Sequence, residues 1–295
     1  MVDKKLPIFL GLKNEFPDFA TPFKGFGHDI VIVNESGGLF WAENTCSHMG
    51  TRFCSEKIKD HQSISCPYHG RPIGEFEPLD VWENFVFLKS DKSVSWVKGP
   101  IERVIMESLR FIDEDIGECF QTEFTTGKFP FYLWMQNTMD PGHLKTVHSD
   151  FSSVIAPRPQ TVLFEEGGVL SSYILPVKKA AEDSFSSRVK NNSFPYFRHI
   201  SVAPNLSVSS FMNIIYSIES VIQDGEWSFV TTRYFTPKNV DVPAHILKAS
   251  IAGHKKILDE DRAICEKVAK TYHPPLVFDP GEERIQHYLE AVGII

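Results

Sequence analysis

Short apolar runs separated by turn residues fill the first hundred positions of the chain. The run Leu6–Leu12 predicts a first strand. Two further runs, DIVIV (Asp29–Val33) and LFWAEN (Leu39–Asn44), flank the glycine-bearing loop NESGG, a pattern typical of a β-hairpin. The segment 84–97 repeats this pattern, and Gly99-Pro100 follows it as the best domain boundary in the chain.

The part of the chain after this boundary begins with a helical pattern at Ile101–Ile112 and continues as a long β region. Within that region Thr161–Val177 predicts a hairpin. Residues 206–237 are rich in β-branched and aromatic residues, with Asp224-Gly225 at a turn. Several further strands are therefore expected between the first helix and the C-terminal part of the chain.

One long helix is predicted from about Pro243 to Tyr272, where His273-Pro274-Pro275 stops it. We interpret this helix as the final element. A strand-rich module followed by a sheet that one long helix covers is an α+β arrangement. We therefore predict an α+β chain with a first domain over residues 1–100 and a second domain over residues 101–295.

Composition and charge narrow the range of functions. Hydrophobic residues make up 42% of the 295 residues and aromatic residues 13%, which suffices for a sizeable core. A net charge of −8 argues against nucleic-acid binding, which usually requires a basic face. The sequence has no apolar run of about 18–20 residues, so we expect no membrane span, and no cleavage site follows the apolar N-terminal patch. Five cysteines, an odd number, favour a reducing, cytoplasmic location.

Two short loops each pair a cysteine with a histidine: Cys46-x-His48 and, after seventeen residues, Cys66-x2-His69. Two thiolates can hold one iron of a binuclear cluster while two neutral imidazoles hold the other, which raises the reduction potential. Zinc accepts the same ligand types, so a Cys2His2 zinc site is the alternative, although Cys-x-His is an unusual start for zinc. Iron content and a visible absorption band would distinguish the two.

These loops resemble those of the Rieske [2Fe–2S] proteins, and the resemblance implies that Cys46, His48, Cys66 and His69 bind such a cluster. Respiratory Rieske proteins carry an extra disulfide, with one cysteine at the position where this chain has Tyr68. The domain is therefore more similar to the oxygenase and ferredoxin branch. The remaining cysteines are expected to be ordinary buried thiols; they are Cys54, Cys119 and Cys265.

A second group of candidate ligands follows in NTMDPGHLKTVH, where His143 and His148 stand five residues apart. On an uninterrupted helix their side chains would point about 140° apart, too far to share one metal ion. Pro141 interrupts the helix just before them, so a distorted helix could bring both rings together. Two unrelated surface histidines are the alternative interpretation.

The spacing Asp140-x2-His143-x4-His148 resembles the catalytic signature of the Rieske non-haem iron oxygenases. The resemblance implies a mononuclear Fe(II) held by both histidines and a distant carboxylate, with positions left open for dioxygen. In the long helix Asp261 is the candidate, because it interrupts an apolar stripe at spacings of three and four, where a carboxylate must be paired, hydrogen-bonded or metal-bound. The acid before it, Glu260, is intermediate between this stripe and the solvated face.

The same resemblance implies how the second domain is built and how copies assemble. Relatives combine an N-terminal Rieske domain with a helix-grip catalytic domain and assemble head to tail as homotrimers. Carried over to this chain, an electron would pass between subunits from His69 through Asp140 to His143. Because the sequence has no dinucleotide-binding fingerprint, electrons would come from NAD(P)H through a separate reductase, directly or through a ferredoxin.

We therefore predict a terminal oxygenase component, with MDPGH more similar to the monooxygenase and demethylase branch. It would use O2 to hydroxylate or oxidatively demethylate an aromatic or heterocyclic small molecule. Three alternatives stay open: a ring cis-dihydroxylating dioxygenase, a Rieske electron carrier with a ligand-binding domain, and a zinc-stabilised binding module. The identity of the substrate does not follow from the sequence.

Overall fold

The structure is a computed structural model. Its described residues are 6–56, 64–89, 116–140, 142–148, 161–165, 168–176, 196–211, 215–238, 241–273, 278 and 282–295. Three predicted features lie outside these residues: the strand of residues 94–97, the domain boundary at Gly99-Pro100 and the helix Ile101–Ile112.

Seven short strands make up the described part of the N-terminal domain. They are β1 (Ile8–Leu12), β2 (Thr21–Gly25), β3 (His28–Glu35), β4 (Gly38–Glu43), β5 (Glu77–Pro78), β6 (Asp80–Trp82) and β7 (Phe85–Leu88). Four of them form a sheet in the order β2-β3-β4-β5, and the other three form a sheet in the order β1-β7-β6. A single 3₁₀ turn, Lys13–Glu15, follows β1. The predicted first strand is confirmed.

The predicted hairpin is also confirmed, because β3 and β4 pair antiparallel with Val33 opposite Phe40. Ser36 and Gly37 form its turn at φ values of 52° and 82°, the left-handed conformation that two-residue hairpin turns of this kind require. The turn residues of NESGG therefore set the register of the hairpin.

Strand β3 is buried on both of its faces. Ile30 and Ile32 pack against the three-stranded sheet. Val31 and Val33 pack against the segment that carries the two cysteine–histidine loops. The loops are therefore supported by a strand that lies in the core of the domain.

The second domain is built around one large antiparallel sheet. Its strands are β8 (Ile116–Gly127), β9 (Thr161–Glu165), β10 (Gly168–Pro176), β11 (Tyr196–Val202), β12 (Leu206–Phe211), β13 (Ile215–Asp224) and β14 (Trp227–Pro237). In the described part of the chain they pair in the order β8-β14-β13-β12-β11-β10-β9. The predicted pairing of two strands within Thr161–Val177 is confirmed, since β9 and β10 pair antiparallel. The expected turn at Asp224-Gly225 is also confirmed, since it connects β13 to β14, with Gly225 at a φ of 61°.

The N-terminal domain packs against one face of this large sheet. Phe9, Phe85 and Phe87 of the three-stranded sheet share one hydrophobic cluster with apolar residues of β11 to β14. Arg233 on β14 donates hydrogen bonds to both carboxylate oxygens of Glu15, a bidentate pair that joins the two domains. This face of the sheet is therefore buried by the other domain.

Helices cover the opposite face of the large sheet. They are α1 (Phe131–Met139), α2 (Leu144–Val147), α3 (Ala244–Val268) and α4 (Glu283–Ala291). Helix α3 has Pro243 at its N-cap and ends at Val268, a few residues before the predicted end at Tyr272. A cluster of buried residues joins α1, α3 and α4 to the sheet, with Trp134, Val221 and Leu258 among its members.

The prediction that α3 is the final element was wrong, because α4 follows it. This helix buries Arg284, Ile285, Tyr288 and Leu289. Their spacing of one and four residues is the signal of an amphipathic helix, which the sequence carries after the two prolines. The α4 helix therefore packs beside α1 on the same face of the large sheet.

The predicted α+β class is confirmed, with a β-rich N-terminal domain and an antiparallel sheet covered by a long helix in the second domain. The closer assignment to the helix-grip group stays a prediction. Among the described helices, none combines the length and the apolar character that crossing a lipid bilayer requires.

Candidate metal centres

Two loops with the same turn carry the first four candidate ligands. In each loop the cysteine carbonyl accepts a hydrogen bond from a glycine N–H, Gly50 for Cys46 and Gly70 for Cys66, both at 2.8 Å. Both glycines adopt left-handed φ values, 69° and 66°, which residues with a Cβ rarely do. The common spacing of cysteine and glycine in CSHMG and CPYHG therefore produces the same turn twice.

The two loops place sulfur inside and imidazole outside. Cys46 and Cys66 are each 2% exposed, whereas the rings of His48 and His69 lie at the surface with centroids 4.8 Å apart. Hydrogen bonds from the backbone N–H groups of His69 and Tyr68 lower the pKa of the Cys66 thiol, which favours the thiolate. Two inward thiolates and two outward imidazoles fit a binuclear cluster with one inner and one surface-facing iron.

The other cysteines do not belong to these ligand loops. Cys54 and Cys265 are buried, and burial raises the pKa of both thiols, as expected for ordinary core cysteines. Cys119 is only half-buried, so the expectation of burial was wrong for this residue. The reason is its place on β8, which is an edge strand of the large sheet.

The second group of candidate ligands converges at the end of helix α1. The helix ends at Met139, and α2 starts a new turn, so that His143 precedes α2 and His148 follows it. The two rings lie 5.2 Å apart, measured between centroids. The predicted restart of the helix is confirmed, and it removes the angular separation that a continuous helix would impose.

Asp261 of α3 completes this group. Its Oδ1 atom lies 3.1 Å from His148 Nε2 and 3.6 Å from His143 Nε2, and the two Nε2 atoms are 3.2 Å apart. Three adjacent ligands of an octahedral ion with bonds of about 2.1 Å would be separated by about 3.0 Å. The three atoms are therefore arranged as one triangular face of such a site.

The surroundings of Asp261 favour a bound cation. The residue is 7% exposed, and within the described residues Oδ1 has no hydrogen-bond donor of normal geometry. Burial alone would raise the pKa of this carboxyl, but His143 and His148 outweigh burial and lower the pKa to about 2. An ionised, buried oxygen that faces two imidazole nitrogens fits a divalent metal ion.

Both histidines of this group are held through their other ring nitrogen. The Nδ1–H of His148 donates to Glu260 Oε2 at 2.8 Å, and the Nδ1–H of His143 donates to the backbone carbonyl of Asp140. Such contacts fix the tautomer that leaves Nε2 available to a metal. Sequence reasoning did not assign this role to Glu260, because the contact joins residues 112 positions apart and no local pattern marks it.

Asp140 lies at the C-terminal end of α1, beside a cavity of about 230 Å³ that α1, α3 and α4 enclose. Its Oδ1 accepts a hydrogen bond from the Gly142 N–H at 2.7 Å, while its carbonyl holds His143. Asn137 lines the same cavity. The proposed bridge from His69 through Asp140 involves two copies of the chain and stays a prediction.

Comparison with known proteins identifies the domain that contains the first group of candidate ligands. Residues 8–76 match the family of the Rieske [2Fe–2S] domain. The large oxygenase component of salicylate 5-hydroxylase from Ralstonia sp. is 36% identical over 64 residues, which cover 21% of this chain. That similarity spans only 15% of the length of the Ralstonia protein.

Solved structures share the fold over nearly the whole chain. The quaternary ammonium Rieske monooxygenase CntA has a TM-score of 0.71 at 17% identity, covering 98% of this chain and 89% of the other. Naphthalene 1,2-dioxygenase has a TM-score of 0.65 at 10% identity, with 98% and 86% covered. A chain of the reduced complex between oxygenase and ferredoxin in carbazole 1,9a-dioxygenase has a TM-score of 0.56 at 12% identity, with 97% and 88% covered. The chain therefore carries a Rieske [2Fe–2S] domain and shares the fold of the Rieske oxygenases along nearly its whole length, as its motifs indicated.

Proposed function

We propose that this chain is the terminal oxygenase component of a multicomponent enzyme. It uses O2 and electrons from a separate reductase to hydroxylate or oxidatively demethylate an aromatic or heterocyclic small molecule. The observation that carries the proposal is the convergence of His143, His148 and Asp261 within 3.6 Å, in a chain that also holds a Rieske domain. A Rieske electron carrier has no use for a second ligand group of this kind.

When iron is bound, the cluster supplies single electrons and the mononuclear ion supplies a site for dioxygen. His143, His148 and Asp261 would hold this ion through two imidazole nitrogens and one carboxylate oxygen, whose atoms converge on one point. Glu260 and the carbonyl of Asp140 fix the two imidazoles, so the ligand geometry is set before substrate arrives. Burial of the group keeps bulk water away from the reacting atoms.

Electrons enter from outside the chain. Because the sequence lacks a dinucleotide-binding fingerprint, NAD(P)H binds to a separate reductase, which delivers electrons directly or through a ferredoxin. The exposure of His48 and His69 supports this route, since an electron donor must approach the cluster closely. A complex between oxygenase and ferredoxin has been solved for carbazole 1,9a-dioxygenase.

We further propose that three copies associate head to tail, so that the cluster loops of one copy reach the second centre of the next. Two large side chains at the loop tips, Met49 and Tyr68, are 61% and 65% exposed, which is typical of a contact surface. The cavity of about 230 Å³ beside Asp140 offers space for such side chains. In this arrangement His69 of one copy lies near Asp140 of the next, and an electron crosses through Asp140 to His143. Inter-subunit electron transfer is described for CntA.

A cytoplasmic location also belongs to the proposal. All five cysteines are free, as in proteins of reducing compartments. Cys46 and Cys66 must stay reduced to bind iron as thiolates, and the cytoplasm keeps them in that state.

Metal content, spectroscopy and oxygen counting test the proposal together. We expect about three irons per chain, two from the cluster and one from the second centre, and the resonance signal of a mixed cysteine–histidine cluster after dithionite reduction. A colourless zinc protein would overturn the proposal, and two irons per chain would favour the electron carrier. Oxygen uptake with a surrogate reductase, followed by mass spectrometry of ¹⁸O incorporation, separates monooxygenation from cis-dihydroxylation. Ring cis-dihydroxylation is the second candidate reaction, because naphthalene 1,2-dioxygenase has the same fold.

A further inference from the structure

The face of the large sheet that meets the helices is polar beside the second metal centre. Two rows of residues cross strands β11 to β14 on this face. Their side chains are at most 9% exposed. The first row contains His199, Ser209, Ser217 and Tyr234, and the second contains Ser201, Ser207, Glu219 and Thr232.

Most of the larger polar groups in these rows have partners. His199 contacts the hydroxyl groups of Ser201 and Ser209 at 2.7 and 2.9 Å. Burial lowers the pKa of His199 to about 3, so the ring is neutral at pH 7. The Tyr234 hydroxyl and His254 Nδ1 are 2.8 Å apart. These groups therefore form satisfied neutral contacts inside the domain.

Unlike the other large polar side chains of these rows, Glu219 has an oxygen atom without a hydrogen-bond partner among the described residues. The residue is 6% exposed, and the atom is Oε2. The indole N–H of Trp134 lies near enough to lower the pKa of this carboxyl, yet in the same part of the chain it makes no hydrogen bond of normal geometry. A buried carboxylate oxygen without a donor is costly, so such groups are usually completed by a ligand, an ion or water.

Among the described residues, His254 is the candidate cation paired with Glu219, and it does not neutralise the carboxylate. His254 Nε2 is 3.7 Å from Glu219 Oε1, beyond hydrogen-bond distance. Burial lowers the pKa of His254 to about 4, so this ring carries no charge at neutral pH. Burial, and after it the negative charge of Asp261, raises the pKa of Glu219 to about 7. The environment of Glu219 is therefore short of positive charge.

Glu219 stands beside the second centre without being part of it. His254 of α3, the helix that also carries Asp261, has its Nε2 atom 3.7 Å from Glu219 Oε1, and the charge of Asp261 acts on the pKa of Glu219. In the described residues, the ligand atoms that converge within 4.8 Å are those of His143, His148 and Asp261. Glu219 therefore lies on the helix-facing side of the sheet, outside the group of candidate metal ligands.

We propose that Glu219 binds a positively charged nitrogen of the organic substrate, next to the second metal centre. This inference rests on the proposed function, because it assigns Glu219 to the substrate of that centre. A cationic nitrogen brings a positive charge to the Glu219 carboxylate and gives Oε2 a partner. The nearby histidines are neutral and therefore supply no positive charge. The hydroxyl groups of the two rows complete a polar lining for the rest of the molecule.

Matched pairs of probes that differ only in charge test this proposal. Choline is compared with its neutral isostere 3,3-dimethylbutan-1-ol, and benzylamine with benzyl alcohol, by calorimetric titration of the iron-loaded protein at pH 7.5. The wild type should bind the cation of at least one pair about tenfold or more tightly than its neutral partner. Absence of such a preference in both pairs, whether the members bind equally or do not bind, overturns the proposal.

Three variants assign the preference to Glu219. Glu219→Gln keeps the shape of the side chain, removes a buried charge and should abolish the preference. Glu219→Asp keeps the charge and should retain the preference with weaker affinity. Glu123→Gln is the matched control, because Glu123 lies in the same row opposite Thr232 and pairs at the surface with Lys255 at 3.2 Å. A preference that survives in Glu219→Gln, or disappears equally in Glu123→Gln, contradicts the proposal.

Iron content and the cluster signal, measured on the same samples, separate this proposal from the proposed function. Normal iron and a normal cluster signal without charge preference reject the role of Glu219 alone. Absence of the mononuclear iron or of the cluster rejects the proposed function, whatever the titrations show. The titrations require no turnover, so an unidentified natural substrate does not limit them.

Discussion

The two candidate metal centres of this chain are built in opposite ways. All four candidate ligands of the cluster come from residues 46–69, and two glycine turns of the same geometry set their positions. The second centre combines residues 143–148 with position 261, so its ligands meet only when α1 and α2 pack against α3. The first centre exposes its imidazoles, whereas His148 and Asp261 are 1% and 7% exposed. A local, exposed site suits electron exchange with another protein, and a distant, buried set of ligands suits chemistry that must exclude water.

The largest effect is expected from His148→Ala, which removes a ligand of the second centre alone. Iron should fall from about three to about two per chain, and turnover should fall by about three orders of magnitude or more. The resonance signal of the cluster should be unchanged, because its four ligands lie in another domain. His287→Ala, which alters a half-exposed histidine of α4, is the control and should change neither quantity. Loss of the cluster signal in His148→Ala would show that the two centres are not independent.

Asp140→Ala interrupts the proposed link between the two centres. Turnover should fall by about 100-fold or more while both centres keep their iron, because the carbonyl that holds His143 remains. Iron analysis, the cluster spectrum and steady-state rates measure the three quantities. Asp259→Ala removes an exposed acid of α3 and should be neutral. Full turnover in Asp140→Ala would contradict the electron route through this residue.

Glu260→Gln weakens the second centre without removing a ligand. The charged acceptor of the His148 Nδ1–H becomes a neutral amide, so affinity for the mononuclear iron should fall by about 10- to 100-fold. Competition with a chelator measures this loss, with cluster absorption as the internal reference. A chelator curve that matches the wild type would mean that Glu260 does not support His148.

Stability as a function of pH reports on the interior of the second domain. Burial raises the pKa of Glu219 from 4.5 to about 7, so the folded chain holds a proton that the unfolded chain releases between these values. This group therefore lowers stability as pH rises from about 4.5 to 7. Compared with wild type, Glu219→Gln should therefore gain about 3 kcal/mol of stability between pH 4.5 and pH 8, in protein without mononuclear iron. Urea unfolding at the two pH values measures the difference.

The control for this pH effect is Glu123→Gln, for which the opposite sign is expected. Hydrogen bonds from Gln121 and Lys255 lower the pKa of Glu123, so its carboxylate contributes stability that is lost as pH falls. Relative to wild type, Glu123→Gln should therefore be less stable at pH 8 than at pH 4.5. A pH response of the same sign in both variants would contradict the assignment of the effect to Glu219.

The smallest effect is expected in the cluster loops, where the geometry is local. Gly50→Ala places a Cβ at a φ of 69° and should lower stability by about 1 kcal/mol, with faster loss of the cluster. Gly74→Ala is the matched control, because its φ is ordinary and the described residues leave its Cβ position open within 4 Å. Urea unfolding and the decay of cluster absorption measure both variants. Equal effects would show that the left-handed turn does not set the ligand positions.

Strands and turns could be predicted because their signals are local. NESGG and Asp224-Gly225 both contain residues suited to left-handed turn positions, and both turns form where expected. Helix α4 was not predicted, because its buried face includes Arg284 and arginine side chains are usually exposed. Helix α3 ends early at Val268, although the sequence continues to be helix-compatible up to the prolines.

The candidate ligands could likewise be named from the sequence, since their residue types and spacing are local properties. Three local patterns were enough to name the candidates: the two cysteine–histidine loops, the pair His143 and His148, and the acid Asp261 on an apolar stripe. Burial agrees with the choice of Asp261, which is 7% exposed and lies on the same buried stripe of α3 as Leu258 and Cys265. The ligand set itself stays a prediction until metal is measured.

The amino-acid sequence by itself indicated several of the strands, two of the turns and the types of candidate ligands, because each depends on a few consecutive residues. Tertiary structure alone decided the positions of Glu260 and Glu219. Glu260 contacts His148 only because α3 packs beside the end of α1. Apolar and polar residues alternate along β13 from Tyr216 to Glu219, as they would on a sheet with one face in water. Because the N-terminal domain covers one face of this sheet and helices cover the other, the alternation leaves an acid inside the protein rather than in solvent.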